Sequence, residues 1–519
     1  MDFYINLTFD NKSDRVKNNN MEIFVLLFTI LYAILAWRKL DLAMAFLIVA
    51  LPTYQIRFNI GFLPVTLLEI MILVLFTVWL IQSLKNKEIP LFHYLLFLPV
   101  SSSLGGRRQE FKHNIRHYPF WKEIIAILVI AFIAMLVAGS SNSALGILKA
   151  YFIEPIMFFI VFINIFKIKE NRPAFATLWR GKNKVFWALA ISTLVISIVA
   201  IYQKITGQFI PVNWADSGRV TGLFVYPNAV GLYLGPIVIL LGGFLISILK
   251  STKFQILNSK EIINYKFQTC LPVGKVLKSI FVVLSVICSI VAIYLAQSEG
   301  ALIGILVAGF IFGLLYNKKS RQAVIGLMIV GIMILGFNSG LRHEVVKKVT
   351  LMDKDGQIRR QLWSETWQML TDNPRNFIFG AGLANYQNAI VPYHQSGIYV
   401  RNDDPEFDKM VKISLEYQQQ VWQPLEIYLY PHNILLNFWS ELGLAGVLLF
   451  VWIIGKFLVI GLKIKDSKYK ALVLGLTCAM IVVVIHGLVD APYFKNDLAI
   501  LFWMLIAMMG ILNLENKEK

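Results

Sequence analysis

A chain of 519 residues that is 57% hydrophobic and only 15% charged, with a mean hydropathy of +0.64, does not have the make-up of a soluble globular protein, in which about a quarter of residues are charged. Its net charge of +18 does not point to nucleic acid, because the Lys and Arg residues gather in alternate loops between apolar runs and never form one contiguous basic face. The three scattered cysteines, Cys270, Cys288 and Cys478, have no CxxC or Cys/His spacing and read as small hydrophobes, which excludes a disulfide framework or a zinc site.

The first twenty residues are polar, and MEIFVLLFTILYAILAW (21–37) is long enough to stay as an anchor, with no removable signal peptide evident. Apolar runs that suit a hydrocarbon core of about 30 Å then follow at 22–37, 41–54, 65–84, 123–139, 146–166, 185–205 and 229–249. More fall at 277–296, 301–316, 322–337, 434–460, 471–489 and 497–514, and the short run at 41–54 reads as a crossing or a re-entrant turn. The basic loops at 85–117, 167–184, 250–278, 317–321 and 463–470 belong in the cytoplasm by the positive-inside rule, and the loops between them outside.

The expected fold is therefore all-α, a polytopic transmembrane bundle of about 12–13 helices. A polar N-terminal tail (1–21) leads into the first part of the bundle (22–337). An extracytoplasmic loop domain (338–430) follows, then the last membrane helices (431–514) and a cytoplasmic tail (515–519). Thirteen crossings put the N-terminus outside and twelve put it inside.

The loop at 338–430 is too long to be a simple connection, and such loops are usually functional. Residues 359–371 are helical by pattern, with Arg359, Trp363 and Trp367 on one face and DNP (372–374) as the stop. GAG (380–382) is a turn that allows close approach to an anion or a neighbouring helix. The charged, Gln-rich stretch 396–425 reads as a mobile cap.

Candidate chemistry lies in and around this loop, and each residue has a plainer reading beside the functional one. Arg359 and Arg360 offer guanidinium forks for phosphate or diphosphate oxygens, and equally fit interfacial arginines paired with headgroups or an acidic loop residue. Trp363 and Trp367 fit an interfacial belt or a sugar-stacking face. His432, between Pro431 and Asn433 at a helix start, can take a proton from a sugar hydroxyl near neutral pH. Its plainer role is to bond the free amides of the helix, which Asn433 also suits.

Arg219, in DSGRVTGLFVYPNAVG (216–231), stands before a helix start at Pro227 and Asn228 whose free N–H groups favour a diphosphate; the alternative is an ordinary loop arginine. Glu441 is costly inside a membrane helix unless it is paired or near the surface. His486 and Asp490, at i and i+4, read as a structural pair, and Glu299 in SEGA (298–301) as a solvated turn residue. No GxxxxGKS loop, HExxH, GxSxG or acidic metal cluster is present, which disfavours a nucleotide-driven pump, a zinc protease and a metal-dependent sugar-nucleotide transferase.

Several stretches, in order, resemble the O-antigen ligase and O-antigen polymerase superfamily of bacterial membrane glycan transferases. They are RVTGLFVYPNAVGLYL (219–234), SEGALIGILVAG (298–309), RRQLWSETWQMLTDNPRNFIFGAGLANY (359–386), PHNILLNFWSELGLAG (431–446) and HGLVDAPYF (486–494). The resemblance spans roughly residues 190–510, and its last two elements are the most specific. It lays the family's loop histidine on His432, its helix arginine on Arg359 with Arg360 as the fallback, and its earlier arginine on Arg219. Glu299 departs from the usual arginine of its motif, so one phosphate contact is expected to be missing. Tyr430 replaces the first histidine of His-Pro-His, which leaves His432 as the sole candidate base.

The resemblance implies inverting, metal-independent transfer of a glycan from an undecaprenyl-diphosphate carrier to a hydroxyl, on the outer face of the cytoplasmic membrane. His432 and Arg359 are the implied catalytic residues, and Arg219, Arg360, Trp363, Asn433 and Glu441 the implied substrate contacts. No metal, nucleotide or other cofactor is called for. The acceptor is lipid A core, a growing polysaccharide or a protein; the partners are these and the lipid bilayer, with no nucleic acid. The alternative class is a transporter or flippase for a lipid-linked or anionic substrate, for which ionisable residues should line a path through many helices.

Overall fold

The computed structural model describes residues 12–60, 63–86, 118–166, 183–258, 273–464 and 469–517. Most of the basic loops expected in the cytoplasm (within 85–117, 167–184, 250–278 and 463–470), the start of the N-terminal tail and the last two residues lie outside these. Among the described residues the fold is all-α, and its β-structure is two short two-stranded ladders, 57–60 with 63–66 and 397–399 with 422–424.

Each of the thirteen apolar runs forms a helix. Ten helices among the described residues are long and apolar enough to cross a membrane, from Leu67–Lys85 to Asn496–Leu514. The other three runs give the shorter helices Ile23–Arg38, Leu40–Val49 and Trp121–Val137. The ambiguous run at 41–54 stops being α-helical at Val49 and continues as a 3-10 turn, Leu51–Gln55, with Pro52 near its start. These helices and their apolar surfaces are those of a multi-pass membrane protein.

By its contacts the chain divides into two compact units, residues 1–115 with 157–192, and 116–156 with 193–519. In the smaller unit the Tyr32 hydroxyl donates to the Ala43 carbonyl at 3.1 Å and Gln82 donates to the Trp37 carbonyl at 2.8 Å. Lys184 pairs with Asp41 there, and a reciprocal Thr66–Glu69 capping box starts the Leu67–Lys85 helix.

In the larger unit, short side chains set the helix boundaries. Asn317 and Ser320 form a capping box between Glu299–Tyr316 and Lys318–Phe337, and Asn338 caps Ser339–Val349. Helix Pro227–Asn258 begins on a proline, whose missing N–H has no partner to lose at that position. Residues Leu148–Ile153 form a turn of π-helix within the Asn142–Phe166 helix.

The polar insertion 338–430 is itself folded. Its main helix, Lys354–Thr371, buries Leu362, Thr366, Met369 and Leu370, and Met369 and Leu370 pack with Tyr386 and Ile390. The GAG turn touches two helices: Ala381 N–H donates to the Ser440 carbonyl (2.7 Å) and Leu383 N–H to the Ala134 carbonyl (3.2 Å). It meets helix Ile434–Lys463 where Gly443 breaks the helix with φ +74°. A Cβ on Gly443 would lie 2.3 Å from the Ile378 carbonyl oxygen, and one on Gly380 (φ +67°) 2.4 Å from that of Trp439. Only glycine fits both the dihedral and the space. The stretch 396–425 is built from the 397–399/422–424 ladder and two short helices, Phe407–Ile413 and Leu415–Val421.

Candidate functional site

Within the larger unit, three separate stretches of sequence meet the short loop 488–495, which joins Lys470–Gly487 to Asn496–Lys517. Arg359 Nε donates to the Val489 carbonyl at 3.1 Å. Asn433 Nδ2 donates to the Leu488 carbonyl at 3.0 Å, while its Oδ1 accepts the N–H groups of Leu435 (3.0 Å) and Leu436 (3.1 Å), capping the long helix. Asn228 Nδ2 donates to Asp490 Oδ2 at 3.2 Å, and its Oδ1 accepts Arg219 Nη2 at 2.7 Å. Asp490 Oδ1 accepts the Ala491 N–H at 2.8 Å and faces His432 Nδ1 at 3.6 Å. Arg219, Asn228, Asp490 and His432 thus form one polar chain, with Arg359 on the next residue of the same loop.

The helix Lys470–Gly487 ends before Asp490, which therefore lies in the loop, still within electrostatic reach of His486. Asp490 is 1% exposed and turns toward His432 and Asn228. Burial pushes its carboxyl up, but the His432 ring, the nearby His486 and the Ala491 N–H outweigh that, holding it well below the usual carboxylate range. An ionised Asp490 beside Nδ1 favours the tautomer that keeps its proton there and leaves Nε2 free to accept one. His432 has a left-handed backbone (φ +48°), uncommon for a residue with a side chain, and its ring lies edge-on to Tyr428 (5.3 Å) and beside Tyr430 (4.6 Å).

Arg219 is held from several sides. Nε donates to the Ala296 carbonyl (3.0 Å), Nη2 also reaches the Gln297 carbonyl (3.4 Å), and the guanidinium lies 5.5 Å from the Trp214 ring centre. Its pKa is pulled down by burial and by Arg359, against the upward pull of Asp355 and Glu299. Two guanidinium groups therefore repel each other across this site, an arrangement that favours an anion between them.

The other expected residues lie differently. Arg360 is exposed, and its Nη1 contacts Met352 Sδ at 3.1 Å rather than the 488–495 loop. Trp363, one turn after Arg359, has a buried indole N–H without a partner among the described residues. Glu441 is buried and accepts the Ala384 N–H at 2.7 Å, beside the docked GAG turn. Trp367 packs edge-on against Trp439 at 5.7 Å and stays exposed. Glu299 is exposed, as expected of a solvated turn residue, and at the start of its helix it pairs with Lys348. The network also includes roles that the sequence did not show, namely Asn228 as a side-chain bridge and Asp490 as the partner of the histidine, with Tyr226 and Tyr430 beside it.

Residues 284–451 match the model of the family described as O-antigen ligase, a range that contains Arg359 and His432 but neither Arg219 nor Asp490. The match supports placing the chain in the O-antigen ligase and polymerase superfamily, whose common activity is glycan transfer at a membrane. No curated protein matches the chain.

Proposed function

We propose, from the premise that residues 284–451 carry an O-antigen ligase domain, that the protein transfers a glycan from an undecaprenyl-diphosphate carrier to an acceptor hydroxyl. The observation that carries this reading is the meeting of Arg219, Arg359 and His432 around residues 488–490. A transporter calls for ionisable groups strung along a path, whereas a transferase needs cations and a base together at one place.

In the proposed reaction the two guanidinium groups hold the diphosphate and stabilise the charge that grows on it as the glycosidic bond breaks. The acceptor oxygen attacks the anomeric carbon from the opposite face, the bond from that carbon to the phosphate oxygen breaks, and the diphosphate leaves with the electron pair. The acceptor proton passes to His432 Nε2, with Asp490 stabilising the imidazolium. The 3.6 Å gap between Nδ1 and the carboxylate is wider than a hydrogen bond, and such contacts tighten when substrate binds. The result is inversion, with positive charge supplied by arginine and driving force by the diphosphate linkage, so the reaction calls for neither added metal nor nucleotide. The apolar helices hold the polyprenyl chain in the cytoplasmic membrane, the site faces its outer side, and the acceptor is lipid A core, a growing polysaccharide or a protein.

The test is release of undecaprenyl diphosphate from a lipid-linked oligosaccharide by the full-length protein in nanodiscs, without nucleotide or metal, beside His432→Ala. Release that disappears in the variant is the expected result. Binding without release across a panel of acceptors would instead indicate a transporter.

A further inference from the structure

The loop that organises the site ends on a lysine that the proposed reaction does not use. Lys495 closes the 488–495 loop immediately before the last helix, and its N–H is tied back to the Tyr493 carbonyl at 2.7 Å. Tyr493 is anchored in turn, its hydroxyl donating to the Tyr151 carbonyl at 2.9 Å in the π-helical turn and accepting the Trp503 indole N–H at 3.1 Å. The base of the lysine is therefore fixed on both sides.

Its half-buried ammonium stands 3.7 Å from the centre of the Tyr226 ring. Among the described residues, Nζ makes no ion pair and no hydrogen bond; Asp497 and Asp490 reach it only as more distant charges. Tyr226 lies two residues before Asn228, the bridge between Arg219 and Asp490, and its phenol interacts with Tyr430, two residues before His432. The ring that faces the ammonium thus forms part of the wall of the Arg219–Asp490–His432 network.

An ammonium drawn out of water against an aromatic face recovers only part of its lost hydration. Elsewhere in the network each cation has a polar partner: Arg219 has carbonyls and Asn228, and Arg359 has the Val489 carbonyl. Lys495 alone is fixed, partly desolvated and unpaired. Glu299, where a family arginine was expected, is paired with Lys348 and supplies no positive charge.

We propose that Lys495 binds a phosphate group as the third cation of the site, and that the phosphate is the diphosphate of the polyprenyl donor. The inference rests on the glycan-transfer reading above. A phospholipid headgroup offers the same chemistry beside a membrane helix, and the experiment separates the two sources. Burial pushes the ammonium down to about 8 against the pull of Asp497 and Asp490.

The test measures affinity of the full-length protein for farnesyl diphosphate in phosphatidylcholine nanodiscs, for wild type, Lys495→Met, Lys495→Arg and His432→Ala. The expected result is a loss of tenfold or more in Lys495→Met, near-wild-type binding in Lys495→Arg, and unchanged binding in His432→Ala. Without ligand, Lys495→Met should melt at or above the wild-type temperature, because an unpaired charge is removed, whereas a merely structural lysine would lower it; Lys495→Gln serves if the methionine variant does not fold. Equal affinity in wild type and Lys495→Met overturns the inference and leaves the transferase reading standing. No binding by wild type overturns both. A Lys495→Met defect limited to retention of phosphatidylglycerol, with farnesyl diphosphate affinity intact, identifies a headgroup contact and overturns the inference.

Discussion

At the scale of single residues, the proposed site separates holding the leaving group from taking the proton, and variants should separate them too. His432→Ala should lower turnover by roughly 10²–10⁴ while donor affinity stays near wild type, a split read by comparing release kinetics with binding. Arg359→Ala should weaken both, and Arg359→Lys should recover little, because an ammonium is a point charge and cannot reproduce the guanidinium fork. Asp490→Asn should keep the packing and slow turnover by removing the charge behind Nδ1. Lys495 adds a pH signature. The half-buried ammonium is the disfavoured form in the folded protein, so its contribution to stability improves as pH rises from about 8 toward its ordinary value. Anion binding needs that ammonium, so farnesyl diphosphate affinity should fall as pH rises through about 8, while Lys495→Arg stays flat. The groups that face it are the Tyr226 ring and, as more distant charges, Asp497 and Asp490.

At the scale of elements, the insertion is fastened to the helices by contacts that leave no room for larger residues. Gly443→Ala and Gly380→Ala each force a side chain into a carbonyl oxygen at positive φ, so each should cost about 1–3 kcal/mol, seen as a lower melting temperature. Asn433→Ala should lose about 1 kcal/mol from the cap and also free the Leu488 carbonyl, loosening the loop that holds Asp490. This scale also shows what could be read from sequence. The membrane helices were legible because burial in hydrocarbon demands long apolar runs, and Arg219, Arg359 and His432 stood out as polar residues in recurring motifs. The choice between Arg359 and Arg360 depends on where their helix packs: neighbours about 100° apart around the axis face different surroundings, here Val489 and Met352. The i, i+4 spacing from His486 to Asp490 did not reveal that the helix stops at Gly487 and that Asp490 also faces His432 and Asn228. The docking of GAG at Gly443 and against Ala134 joins residues tens to hundreds of positions apart, and no local pattern encodes it.

At the scale of the whole molecule, the family match spans residues 284–451, yet the polar network draws on residues before and after it. Arg219 and Asn228 come from upstream and Asp490 from downstream, and they meet within the larger compact unit. A fragment limited to the matched range should therefore bind no farnesyl diphosphate, even if it inserts into a membrane. The smaller unit contributes none of these residues.

The repulsion between Arg219 and Arg359 has a kinetic consequence. An anion that relieves it is welcome on arrival, and in the proposed reaction the spent carrier still bears its diphosphate after the sugar has gone. The same cations then hold the product, now with one more ionisable oxygen. Turnover would be paced by departure of the carrier, and accumulated undecaprenyl diphosphate would slow the protein until another enzyme hydrolyses it.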